Sequence, residues 1–158
     1  MRNLDFEYTF TPIGIEDIED FENKYGILLP ADYKQFLLSK NGGKTEQRRF
    51  KTNDTTKKGV ITSSVSMFFP LSIENEINLE EKLRSYNLMQ VVPSNFLPIG
   101  IDPAGSLICL SIDGKDRGSV YHCDMDYFEE DNELREEYIR LISKSFSEFV
   151  DNLYIPEN

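Results

Sequence analysis

His122, the chain's one histidine, stands beside Cys123, with the second cysteine, Cys109, upstream. An imidazole next to a thiol can raise the thiolate fraction and make a nucleophile. Both cysteines fall in apolar, β-like segments, "SLICLSI" and "SVYHC", and nothing else marks a nucleophile. Buried, reduced thiols are the plain reading. Asn41-Gly42-Gly43-Lys44 sets glycines before a lysine. A phosphate loop needs an earlier glycine and a place between strand and helix. Here the earlier glycine is missing and the glycines follow a helical pattern. Asp124, Asp126, Glu129, Glu130 and Asp131 offer oxygens for calcium. An EF-hand loop needs Gly at its sixth position and Glu at its twelfth. Counted from Asp124, those positions hold Glu129 and Arg135. Accidental carboxylate pairs abound among 28 acids and carry no specificity. We therefore expect no catalytic residue, no metal ligand set and no cofactor.

What remains is surface. The formal net charge is −11. That argues against a nucleic-acid partner, whose phosphates are gripped by Lys and Arg, and favours a basic one. The charge is uneven. Residues 121–158 hold three basic and eleven acidic groups, a net of −8, whereas 41–60 hold six basic and two acidic groups, a net of +4. The stretch "CDMDYFEEDNELREE" sets Tyr127 and Phe128 among eight acids: Asp124, Asp126, Glu129, Glu130, Asp131, Glu133, Glu136 and Glu137. Acids around rings suit a protein interface, with charge for fast association and aromatic anchors for the contact. The alternative is a solvated turn whose rings belong to the core. No apolar run approaches the roughly 18 residues of a membrane helix. The early acids of "MRNLDFEYTF" make a poor signal peptide, so we expect a cytoplasmic protein with no membrane partner.

The elements that must position these groups read as follows. "TPIGIEDIEDFENKYG" predicts a first helix, with Ile15, Ile18, Phe21 and Tyr25 inward and Glu16, Asp17, Glu19, Asp20 and Glu22 outward. Gly26 ends it. Pro30 opens a second helix with Tyr33, Phe36 and Leu37 inside, and Asn41-Gly42-Gly43 stops it and turns the chain. Residues 44–59 predict a long basic loop or a frayed hairpin arm, and "VITSSVSMFFPL" a strand ended by Pro70. A short helix follows, with Asn78 as cap and Leu79, Leu83 and Tyr86 on one face. "FLPIGI", "SLICLSI" and "SVYHC", joined by "DPAG" and "DGKDRG" turns, predict an antiparallel meander. "ELREEYIRLISKSFSEFVDNLY" predicts a long closing helix. The expectation is one α+β domain over 1–158, core about 13–153, with helices packed on an antiparallel sheet.

One set of residues goes further. Ile18, Phe21, Glu22, Gly26, Leu29, Pro30, Asp32, Tyr33, Lys34, Phe36, Leu37, Asn41, Gly42 and Gly43 resemble the opening motif of the SUKH superfamily, in its Smi/Knr-like branch. "FFPL", "FLPIGIDPAGSLICLSI" and "GSVYHCD" fit its later parts. The resemblance implies an α+β fold. It also implies an immunity protein, without catalytic residues, that binds and blocks a secreted polymorphic toxin, often a nuclease. A basic nuclease would suit the acidic stretch, so the eight acids are the expected contact area. The alternative is a regulatory scaffold that binds a cell-wall-synthesis or signalling protein. Either way the expected partner is a protein, and the chain a monomer or weak homodimer.

Overall fold

The computed structural model describes residues 1–53, 59–71, 74, 76–126, 128 and 134–157. Its order is β1 (Phe6–Phe10), α1 (Ile15–Tyr25), α2 (Ala31–Ser39), β2 (Asn41–Thr45), β3 (Arg49–Lys51), β4 (Thr62–Ser64) and β5 (Met67–Phe68). Then come α3 (Leu79–Lys82), β6 (Phe96–Ile101), β7 (Leu107–Ser111), β8 (Val120–Cys123), β9 (Ile139–Ser143) and α4 (Phe146–Asn152). Among the described residues, seven strands form one sheet in the order β1-β2-β5-β6-β7-β8-β9, and β3 and β4 form a separate hairpin. Every neighbouring pair is antiparallel, as a meander with short turns requires. The molecule is an α+β domain with helices on a mostly antiparallel sheet.

Both faces of the central strands are covered. Leu97, Ile99, Ile108, Leu110, Val120 and Ile142 point to one face, where they join Ile18, Phe21, Tyr33, Phe36, Leu37, Phe146 and Phe149 from the helices. The alternate residues Phe96, Leu107, Cys109 and Cys123 point to the other face and meet Val92, Tyr86, Met125 and Leu134. This is the period-2 alternation of a strand, with each set given its own cover. Strands buried on both sides read as nearly continuous apolar runs, as "SLICLSI" does.

The corner between α1 and α2 depends on polar side chains. Glu22 was expected on the outer face of α1, but it is buried. Its carboxylate accepts the Leu29 N–H at 2.7 Å and lies 3.7 Å from Lys34 Nζ. Ile15, expected inside, is exposed. Helix α1 begins after Gly14, whose N–H donates to Asp17 Oδ2, and Gly26 closes it with φ 64°. Asp32 reaches α4, where its Oδ2 accepts both the N–H and the hydroxyl of Ser147 at 2.9 Å. Asn41 is buried and joins three segments, donating to Thr11 O at 2.8 Å and accepting from Leu71 N–H at 2.8 Å.

Several expectations fail here for identifiable reasons. Asn41-Gly42-Gly43 does not form a turn. It is the start of β2, and its glycines admit the neighbouring backbones. A Cβ on Gly43 would lie 2.2 Å from Tyr8 O, at a φ of +125°. Strand β1 was not anticipated, although the aromatic alternation of "FEYTF" suits an edge strand. "VITSSVSMFFPL" is two strands, β4 and β5, in different sheets. Of the expected loop or hairpin arm over 44–59, residues 54–58 lie outside the described residues, and Arg49–Lys51 form a hairpin arm with Thr62–Ser64. The long closing helix is the largest correction. Its first part is a 3₁₀ turn, Glu136–Tyr138, and β9, and only Phe146–Asn152 is helical. Its apolar residues fit both periods, and the open edge of β8 supplies the ladder that decides for a strand. Ser145 then caps α4 by accepting the Glu148 N–H at 3.0 Å.

Candidate functional site: an acidic face beside an apolar groove

The segment after β8 crosses the second face of the sheet. Met125 and Leu134 pack on the cluster of Phe96, Leu107, Cys109 and Cys123. Asp124 N–H donates to Tyr138 O at 2.8 Å, and Met125 N–H to the Ser106 hydroxyl at 3.0 Å. With Met125 and Leu134 turned in, the described part of the segment presents three acids outward. Asp126, Glu136 and Glu137 are exposed. Asp124 is half-buried and engaged: its Oδ1 accepts the Asp126 N–H at 3.0 Å, and its Oδ2 lies 3.9 Å from Arg140. Glu129, Glu130, Asp131, Glu133 and Tyr127 lie outside the described residues. Phe128 is only partly covered.

An apolar groove borders this segment. Met89, Val91, Val92 and Pro93 form one wall, Phe128 and Leu134 the other, around a volume of about 610 Å³. Sequence reading did not anticipate it. Its wall comes from the end of α3, which widens into a π-helical turn over Leu83–Leu88. Gln90 follows at φ 59°, a left-handed conformation that non-glycine residues seldom adopt. Leu88 and Met89 stand exposed at this corner. Exposed apolar side chains rimmed by charge are the anatomy of a protein contact.

A second acidic concavity has a different character. Asp17, Asp20, Glu74 and Glu80 line a hollow of about 370 Å³ between α1 and α3. Glu80 is matched from within. It accepts from Lys24 at 2.5 Å, from the Tyr25 hydroxyl at 2.7 Å and from Arg84 at 3.0 Å. The Lys24 hydrogen bond, then that of Tyr25, holds the Glu80 carboxyl below its ordinary range. Its charge is therefore less available to a partner than those of the exposed Asp126 and Glu136, while Glu137 lies 3.7 Å from Arg135.

His122 has a structural setting. Its Nε2 lies 2.9 Å from Asp102 Oδ2, and Ser63 donates its hydroxyl to that same oxygen at 2.9 Å. The carboxylate stands between hydroxyl and imidazole, whereas a serine relay needs the imidazole between. Asp102 Oδ1 accepts N–H groups of Ala104 and Ser106 at 3.0 and 2.8 Å. Burial pushes the Asp102 carboxyl up, but the bonds from His122, Ser106 and Ser63 outweigh it and hold it below its usual value. Burial, and then Cys123, push the Cys109 thiol well up, away from a reactive thiolate. Among the described residues no three metal-ligating side chains cluster, and no helix is long and apolar enough to cross a membrane.

The opening motif is thus built into the fold. Glu22, Asp32, Asn41, Gly42 and Gly43 hold the helical corner, α4 and the first strands together. Comparison with known proteins agrees with that motif. A Bacillus subtilis (strain 168) protein, the SPbeta prophage-derived uncharacterized protein YokK, is 28% identical over 153 residues, covering 87% of this chain and 73% of its own. The profile of the SMI1 / KNR4 family (SUKH-1) matches residues 12–152, nearly the whole chain, and the chain belongs to that family.

Proposed function

We propose that this chain is a cytoplasmic immunity protein without catalysis of its own, which binds and neutralises a secreted toxin domain of basic charge. The contact area would be Asp124, Asp126, Glu129, Glu130, Asp131, Glu133, Glu136 and Glu137, with Met89 and Phe128 as apolar anchors in the adjoining groove. The observation that carries the reading is that the exposed acids Asp126, Glu136 and Glu137 accompany an open apolar groove in a chain of net charge −11. Acids of this kind accelerate encounter with a basic nuclease by standing where phosphates would. Family membership supports an immunity-like role, as the sequence resemblance implies.

The test is capture from the source cell's lysate and secreted fraction, with the chain as bait at low and then high salt. The expected result is a single basic toxin domain released by salt. A cell-wall-synthesis or signalling protein on the bait would instead favour a regulatory scaffold.

A further inference from the structure

The basic segment carries a second feature, separate from the acidic face. Two of its cations are matched: Lys44 and Arg48 lie 3.2 and 3.6 Å from Glu7. Arg49 and Lys51 are not paired with any carboxylate among the described residues. Strand β3 puts Phe50 into the core and turns these two side chains to the opposite face, as its alternation requires. There they line a groove of about 550 Å³ with Thr62, Asn152, Tyr154 and Glu157. Thr62 is the register partner of Lys51, and Tyr154 pairs through its backbone with Arg49. The Arg49 Nε–H is buried and has no acceptor among the described residues. Such a donor is costly to leave unmade, and native structures seldom do so without a ligand or water.

We infer that this groove binds an oxyanion of the phosphoryl class, either free phosphate or the phosphomonoester of a small molecule. Arg49 supplies its planar guanidinium fork and Lys51 a point charge. The Thr62 and Tyr154 hydroxyls and the Asn152 amide add neutral donors. These donors exceed what the two oxygens of a carboxylate can use, and they suit the three free oxygens of a phosphoryl group. Glu157 stands at the rim and opposes the anion.

The experiment is calorimetric and NMR titration of the full chain with inorganic phosphate, with phosphoserine and with acetate. Saturable binding of phosphate or phosphoserine is expected, weakened about tenfold or more by Arg49→Gln and by Lys51→Gln. Glu157→Gln should tighten it, and Lys44→Gln, away from the groove, should leave it unchanged. Equal affinity for the two phosphates points to the free ion, and tighter phosphoserine to a larger phosphomonoester. Absence of saturable binding, equal affinity for acetate, or indifference to Lys51→Gln in a chain of unchanged melting temperature would overturn the inference.

Discussion

Asp102 shows how much one side chain can hold. Its two oxygens receive four donors, from the loop at Ala104 and Ser106, from β4 at Ser63 and from β8 at His122. Asp102→Ala leaves the buried donors of Ser106 and His122 without an acceptor and should cost about 3–5 kcal/mol in denaturant unfolding. Asp102→Asn keeps an acceptor for the loop and should cost clearly less. The folded carboxyl lies below its ordinary value, so its contribution is complete above the unfolded pKa of about 3.9. It is lost as pH falls through the folded value, below the ordinary carboxylate range. Unfolding curves at descending pH should show the wild type converging on Asp102→Asn there. The turn at "DPAG" was legible in the sequence, because Asp and Pro have local roles. The partnership with His122 was not, because it joins a turn residue to a strand residue distant in sequence. The cysteines behave as their segments predict: both are buried, and alkylation at neutral pH should require unfolding.

Elements were legible where a local signal was strong. Helices α1 and α2, the Asn78 cap and the β6-β7-β8 meander stand where the sequence put them, and Asn78 accepts the Glu81 N–H at 2.9 Å. The misreadings concern segments whose state is decided by a neighbour. Ile139–Ser143 becomes a strand because β8 offers an edge, and Asn41–Thr45 because β1 and β5 flank it. Glycine is required in β2 by this crowding. Gly43→Ala would drive a Cβ into Tyr8 O at 2.2 Å, and should lower stability by about 2–4 kcal/mol. Gly105→Ala, at a φ of +89° but with open space around it, should cost less. Thermal melts of the two variants check this order.

At the scale of the whole molecule, structural and interaction roles lie on different residues. The motif that marks the family ties α1, α2, β2 and α4 together, and Met125 and Leu134 of the acidic segment pack on the other face of the sheet. The acidic segment was legible as composition, since eight acids in fifteen residues need no fold to be seen. The groove beside it was not, because it forms between residues distant in sequence, Met89–Pro93 on one side and Phe128 and Leu134 on the other. Charge on such a rim acts mainly on the association rate, and apolar anchors on dissociation. Met89→Ser should therefore speed dissociation of the partner while leaving its association rate nearly unchanged. The most direct measurement of the central claim is the association rate of the captured toxin domain against ionic strength. It compares the wild type with the triple variant Asp126→Lys, Glu136→Lys, Glu137→Lys. An acidic contact area predicts a wild-type rate that falls steeply with salt, and a variant about 10- to 100-fold slower at low salt. Equal rates for the two chains at low salt would contradict it.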